Sequence, residues 1–142
     1  MKAARKNSDS GFTMIELMVV ILIVSILAAV MIPILRGRID SAKWSEAASA
    51  AGSIRTAVRI LFMEDETAAT NLAGTTLDAA ATYTALEFGS LDLEGTYFTA
   101  ANYEITAVNI VTGAATITVA APGAPGPITG TGTLDADGWQ VN

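Results

Sequence analysis

The sequence contains no cysteine and no histidine. Without cysteine the chain can form no disulfide, no thiol nucleophile and no cysteine-ligated metal site. Without histidine it lacks the commonest general base and the commonest transition-metal ligand. No catalytic constellation is recognisable among the remaining residues, so the composition argues against an enzyme.

Basic residues are absent from the distal part of the chain. All eight Lys and Arg residues lie at or before Arg59, whereas ten of the fourteen acidic residues lie beyond it, and the net charge is −6. The distal part is therefore an anionic body that repels a phosphate backbone. We expect no direct nucleic-acid partner.

One long uncharged run dominates the N-terminal part. From Leu17 to Leu35 there are 19 residues without a charge, close to the roughly 20 residues that cross a bilayer as a helix. A secretory signal peptide usually has a shorter apolar core, and no Ala-x-Ala cleavage site follows this one. The run therefore predicts a membrane-inserting helix. Pro33 and Gly37 weaken its far end, and they indicate either a kink or a segment able to uncoil.

Beyond Gly37 the apolar residues recur at helical spacing, which predicts an amphipathic helix with one buried stripe. The stripe consists of Ile39, Ala47, Ala50, Ala51, Ile54, Val58, Leu61 and Phe62. Lys43 and Glu46 are helix neighbours of opposite charge and are expected to pair. Arg55 and Arg59 repel each other and need an acidic partner from elsewhere.

The distal section is rich in Thr, Ala and Gly. It predicts a short helix near Asp78, strands over residues 102–111, 112–121 and 128–134, and a turn at 135–139 before a short tail. A sheet and a helix can each bury one apolar face against the other. The predicted fold class is α+β, with a long N-terminal helix packed on an antiparallel sheet of about three strands.

The stretch GFTMIELMVV, residues 11–20, resembles the prepilin signature of bacterial type IV pilins and of the pseudopilins of type II secretion. A short basic leader ends in Gly11, Phe12 follows it, and Glu16 and Pro33 are the fifth and twenty-second residues after the leader. Residues 42–59 also resemble the second half of a pilin helix. The resemblance divides the chain into a leader (1–11), a long helix (12–66) and an acidic β-rich head (67–142). Within the helix, residues 12–35 form the membrane span and filament core, and residues 36–66 form the amphipathic part.

The resemblance implies a major pilin matured by a prepilin peptidase. Cleavage falls between Gly11 and Phe12, and the new amine of Phe12 is methylated. The precursor lies in the lipid of the inner membrane, and an assembly platform with an ATPase moves it into a helical homo-oligomeric filament outside the cell. Glu16, Pro33 and Gly37 are the expected assembly residues.

Two other functions stay open. One is a pseudopilin of a type II secretion piston or a competence pilus; the other is a single-pass membrane protein whose acidic domain binds a ligand. Glu16 favours a bulk subunit, because some tip-initiating minor members of the family lack this acid.

Glu16 itself has two interpretations. A charged side chain at the centre of a membrane helix costs roughly 2.5–3.5 kcal/mol on insertion scales, and a cation offsets part of that cost. Cleavage before Phe12 creates such a cation, since an α-amine has a pKa of about 7.7–8.0. The pair then sets the register of each incoming subunit. The simpler interpretation is an acid favoured by the dipole at the start of a helix.

The sequence DADG, residues 135–138, places Asp135 and Asp137 two apart before a glycine. It resembles the start of a calcium loop, and major pseudopilins bind calcium near their C-terminal end. No glutamate follows Gly138, however, and an ordinary hairpin turn has the same composition. No other cofactor is expected.

Overall fold

The computed structural model describes residues 11–122 and 130–142. These residues form two compact units, one reaching to Arg38 and the other running from Ile39 to Asn142. In chain order the elements are helices α1 (Met14–Glu64) and α2 (Glu66–Thr70), strand β1 (Thr75–Thr76), helix α3 (Ala80–Ala85), a 3₁₀ helix (Ala100–Asn102), and strands β2 (Tyr103–Val108), β3 (Ala115–Ala120), β4 (Thr131–Asp135) and β5 (Gly138–Val141). The first half of α1 forms the first unit, and everything after Arg38 forms the second, which we call the head.

The head contains an antiparallel sheet in the order β1-β2-β3-β4-β5, so each strand pairs with its neighbour in sequence. The predicted α+β class is confirmed. The sheet has five strands instead of about three, because β1 and β5 are added at its edges. Strands β2, β3 and β4 lie where strands were predicted, although residues 123–129 lie outside the described residues. The expected C-terminal tail is β5, which pairs with β4 across a tight turn.

Helix α1 packs one stripe of side chains on the sheet within the head. Its buried residues lie three and four positions apart: Trp44, Ala47, Ala51, Ile54 and Val58. Alternate residues of the central strands are buried in the same core: Tyr103, Ile105, Ala115, Ile117 and Val119. The predicted apolar stripe of the helix is thus the face that contacts the sheet, except that Ile39 remains 42% exposed.

Asp65 separates α1 from α2. Its backbone N–H donates to the carbonyl of Leu61 at 2.7 Å, and its carboxylate accepts a hydrogen bond from the N–H of Ala68 at 2.9 Å. The side chain is therefore the N-cap of α2. The acidic run at residues 64–66 accordingly ends the long helix and starts the next one.

Helix α3 ends at a residue with an unusual backbone. Glu87 has a φ of 58° and is the one non-glycine residue with positive φ in the described part of the chain. Its N–H donates to the carbonyl of Thr84 at 3.1 Å, and that of Phe88 donates to the carbonyl of Tyr83 at 2.9 Å. This is the Schellman pattern, in which glycine is the usual residue at the left-handed position.

The irregular segment between α3 and the 3₁₀ helix is attached to α1 through Glu46. One oxygen of the half-buried Glu46 carboxylate accepts hydrogen bonds from the N–H groups of Tyr97 at 2.9 Å and Phe98 at 3.1 Å. Lys43 does not pair with Glu46 as expected. Its ammonium lies 3.4 Å from Asp40 and over the ring of Tyr97, because the carboxylate of Glu46 is taken up by the backbone of this segment.

Tyr103 begins β2 and is fully buried in the head. Burial, together with the negative charge of Glu46, raises the pKa of Tyr103 to about 12. The neutral phenol is therefore the form that the folded core accommodates.

Candidate functional site

The start of α1 lies two residues after the predicted cleavage point. Gly11, Phe12 and Thr13 are exposed and non-helical. The hydroxyl of Thr13 accepts a hydrogen bond from the N–H of Glu16 at 3.2 Å, and its carbonyl accepts one from Leu17 at 3.2 Å. Thr13 is therefore the N-cap of α1. The bond between Gly11 and Phe12 lies outside the helix at the surface of the chain, and residues 1–10 of the predicted leader lie outside the described residues.

Glu16 is the third residue of α1. Among the residues that the structure describes, its carboxylate has no hydrogen-bond or charged partner. A favourable helix dipole contributes roughly 0.3–1 kcal/mol in the first turn. That contribution is smaller than the cost of a few kcal/mol for a charge in hydrocarbon. If Glu16 enters hydrocarbon, the helix dipole alone therefore leaves most of that cost uncompensated.

Residues 12–35, which include the first part of α1, expose apolar side chains on every side. Every large apolar side chain in this segment is between 49% and 84% exposed. Burying one such side chain gains roughly 1.5–3 kcal/mol, so the segment is driven out of water into lipid or against other copies. It contains the apolar part of α1, the one helix in the described residues that is long and apolar enough to cross a membrane.

Ser25 is a polar residue within this apolar segment. Its hydroxyl donates to the carbonyl of Ile21 at 2.6 Å. The group is satisfied inside its own helix, as a polar side chain surrounded by hydrocarbon must be. Ser25 therefore contributes no free polar group to this surface.

Pro33 and Gly37 both lie inside α1, which keeps its helical conformation through the two residues. Pro33 cannot donate to the carbonyl of Ala29. A Cβ at Gly37 would meet no atom within 4 Å, and its backbone is not left-handed. Neither space nor backbone conformation among the described residues therefore requires glycine at position 37. The two residues weaken this turn of α1, because Pro33 removes one backbone hydrogen bond and glycine has a low helix propensity.

Asp135 ends β4, and Asp137 lies in the turn between β4 and β5. The N–H of Asp137 donates to the carboxylate of Asp135 at 2.9 Å, and Asp135 pairs with Gly138 in the strand register. This arrangement is a hydrogen-bonded hairpin turn. Among the described residues no three Asp, Glu, His or Cys side chains are grouped so as to hold a metal. A calcium site here stays an untested prediction.

The predicted site residues therefore fall into separate groups. Gly11, Phe12 and Glu16 share one short stretch, Pro33 and Gly37 share one helical turn, and the two aspartates belong to the head.

Two interactions were missed from the sequence. Thr13 and Glu16 have the spacing of a capping box, S/T-x-x-E, which could have identified Thr13 as the start of the helix. Arg55, which was expected to seek an acid, donates instead to the backbone carbonyl of Asp135 at 2.9 Å. No local pattern signals that contact, because the two residues are 80 positions apart.

Comparison with known proteins supports the N-terminal motif. The family model of the prokaryotic N-terminal methylation motif matches residues 6–32. A fimbrial protein of Moraxella nonliquefaciens is 44% identical over 52 residues, which cover 37% of this chain and 34% of that protein. A type IV major fimbrial protein, FimA, of Dichelobacter nodosus is 38% identical over 63 residues, covering 44% of this chain and 39% of that protein.

The extent of these matches is limited. The chain spans between about a third and two fifths of the length of the curated relatives it matches. No solved structure matches it. The family model reaches residue 32 and thus covers the first part of α1, so the head has to be interpreted from its own residues.

Proposed function

We propose that this chain, whose N-terminal segment is that of a type IV pilin, is the major structural subunit of a type IV pilus-like filament. One observation carries the proposal. The capped N-terminal part of α1 exposes apolar side chains on every side, and the carboxylate of Glu16 in its first turn has no partner among the described residues. Such a helix must be surrounded by apolar groups: by lipid before assembly, and by the helices of other subunits in the filament.

Maturation follows from the position of the cleavage point. A prepilin peptidase cuts between Gly11 and Phe12, where the chain is exposed and non-helical. The new amine of Phe12 is then methylated, which keeps its positive charge. An inner-membrane assembly platform with its ATPase transfers the mature subunit from the bilayer into the extracellular filament.

Charge pairing sets the register of the growing filament. The amine of Phe12 stays largely protonated at neutral pH, and the Glu16 carboxylate of an adjacent subunit is its counter-ion. A misplaced subunit would leave one buried charge without a partner, and breaking a buried pair costs roughly 3–5 kcal/mol. Correct axial placement is therefore strongly favoured over a slipped one.

The turn containing Pro33 and Gly37 provides local adaptability. It is helical in the single chain, but it has one backbone hydrogen bond fewer than a regular turn because proline has no N–H. We propose that residues 28–37 lose helical order when subunits pack in the filament. Hydrogen exchange that is equally slow there in the isolated subunit and in the filament would contradict this.

A pseudopilus or a competence pilus would use the same N-terminal helix. Both similar proteins named above are fimbrial, and FimA of Dichelobacter nodosus is named a major fimbrial protein, which favours a pilus. The location of the polymer separates these functions. Cells are sheared, and the released material is weighed by mass spectrometry. Long fibres containing residues 12–142 plus one methyl group support a pilus, whereas the same species confined to the envelope supports a pseudopilus.

The decisive variant is Glu16→Gln. Glutamine keeps the size of the side chain and suits the same position of a capping box, but it removes the charge. We expect Glu16→Gln and Glu16→Ala to reduce sheared filament at least tenfold while the subunit still accumulates in the membrane. Ser25→Ala is the matched control, because that hydroxyl bonds only within its own helix. Normal filament from Glu16→Gln would show that this acid merely starts the helix, and the proposal would fail.

A further inference from the structure

The head is strongly anionic, which restricts how two copies can meet. Residues 39–142 contain twelve acidic and three basic side chains, a net charge of −9. Two such heads repel each other wherever acids face acids. Residues 105–134, by contrast, contain no charged side chain at all. A contact made through this stretch avoids most of the repulsion.

The β2–β3 turn lies in this uncharged stretch and exposes two large apolar side chains. Ile110 is 68% exposed and Val111 is 83% exposed. The side-chain oxygen of Asn109 accepts hydrogen bonds from two N–H groups of the turn, at 2.9 and 3.1 Å. Its backbone pairs with both residues that close the turn, at 2.8 and 2.9 Å. The turn is thus a preformed apolar tip, and little conformational entropy is lost when it binds.

The position of the tip is fixed by Gly113. This glycine has a φ of 66° and packs so closely on Phe62 that a Cβ would overlap the ring. The tip is thereby anchored beside the C-terminal end of α1.

The opposite end of the head has an apolar notch of about 360 Å³. Its apolar walls are Trp44, Ala48, Trp139 and Val141, and the two indole rings are 6.1 Å apart. Asp40 is the one charged residue in the lining, and Lys43 lies 3.4 Å from its carboxylate. The notch therefore offers apolar surface without an unbalanced charge.

Tip and notch are separated along the axis of α1. Trp44 and Phe62 are 18 residues apart, which corresponds to about 27 Å at 1.5 Å per residue. A patch at one end that fits a different patch at the other end makes a heterologous contact. Repetition of such a contact gives an open polymer instead of a closed dimer.

We propose that the Ile110–Val111 tip of one copy docks in the Trp44–Trp139 notch of the next copy of this chain. The inference rests on the proposed filament function and adds a second, head-to-head contact to the polymer. The occupant is a second copy because the tip and the notch are both apolar and nearly free of charge on a head of −9. The tip contains none of the twelve acids of the head, and Asp40 in the notch lies beside Lys43, so this pairing brings no uncompensated acids together.

The absence of cysteine allows a direct test by cross-linking. Val111→Cys and Val141→Cys are introduced together into the full chain, and filaments are sheared from cells, oxidised and run on a non-reducing gel. We expect a ladder of disulfide-linked multimers, because each copy then carries one thiol at the tip and one at the notch. Each single variant should remain largely monomeric. The matched control pairs Leu91→Cys with Val141→Cys, since Leu91 is 77% exposed but lies outside the tip.

The outcomes separate this inference from the function on which it rests. Filaments with a ladder only in the Val111 and Val141 pair support tip-to-notch docking. Filaments that stay monomeric on the gel, or an equal ladder in the Leu91 pair, overturn the docking and leave the pilus intact. Dimers from Val111→Cys alone show a two-fold contact and also overturn it. If the unaltered chain forms no filament, both proposals fall.

Discussion

Replacing Glu46 by alanine tests how the irregular segment of the head is held. In the folded chain one carboxylate oxygen accepts the N–H groups of both Tyr97 and Phe98. Hydrogen bonds to a charged group contribute roughly 1.5–3 kcal/mol each. The N–H of Tyr97 is exposed and can turn to water, whereas that of Phe98 is partly buried and would be left unsatisfied. We therefore expect Glu46→Ala to lower the free energy of unfolding by about 2–4 kcal/mol.

The same change should be visible as a lower melting temperature. The head has 104 residues from Ile39 to Asn142, and for domains near this size 1 kcal/mol shifts the melting temperature by about 4–8 °C. A decrease of roughly 10–20 °C is expected for Glu46→Ala. Glu46→Gln keeps a neutral acceptor and should lose about half as much. Because Glu46 also raises the pKa of Tyr103, both variants should lower that pKa.

The assay can use the two tryptophans of the chain. Trp44 and Trp139 both lie in the head, so their fluorescence in detergent-solubilised full-length protein reports on the head alone. Tyrosinate absorbance, taken as the difference from a matching sample with Tyr103→Phe, measures the pKa of Tyr103 apart from the other two tyrosines. Glu94→Ala is a suitable control, because its carboxylate makes only a long contact of 3.5 Å to the N–H of Ala100. A melting temperature of Glu46→Ala within 2 °C of the control would refute the reasoning.

Three further measurements bear on the head. The pKa of Tyr103 is raised to about 12 from about 10 in an unfolded chain; stability is therefore complete below pH 10 and falls by on the order of 2–3 kcal/mol as the pH rises to 12. Tyr103→Phe should lack this decrease, and an equal decrease would contradict the assignment. Glu87→Gly should raise the free energy of unfolding by about 1 kcal/mol by relieving the left-handed backbone; Glu87→Ala, which removes the charge but keeps the strain, should not. Millimolar calcium should leave the melting temperature unchanged, because the Asp135 carboxylate already accepts the N–H of Asp137; a calcium-dependent rise that Asp137→Asn abolishes would establish a metal site instead.

The long helix and the central strands could be predicted because their signals are periodic and local. The buried stripe of α1 repeats every three and four residues, and β2 and β3 bury alternate residues. The outer strands could not be predicted in the same way. Strand β1 has only two residues, and β5 has four after a two-residue turn, so neither is long enough for a period to show.

In the candidate site, too, local motifs could be predicted from the sequence and long-range contacts could not. Gly11, Phe12 and Glu16 form a contiguous motif, so their positions could be predicted from the sequence alone. Tertiary contacts were not predictable. Lys43 was an obvious local partner for Glu46, yet two N–H groups more than 50 residues away donate hydrogen bonds to the Glu46 carboxylate. The notch likewise depends on Trp44 meeting Trp139, which only the folded head brings together.

The order of the strands has a consequence for how the head reaches its native state. Strands β2 to β5 each pair with the next one along the chain across connections of two to ten residues, so these hairpins can form within microseconds. We expect the slow event to be the docking of α1 on the sheet, where Arg55 and Asp135 meet across 80 residues. Folding slows as contacts become more distant in sequence. Substitutions at the interface between α1 and the sheet should therefore change the refolding rate more than substitutions within any single hairpin.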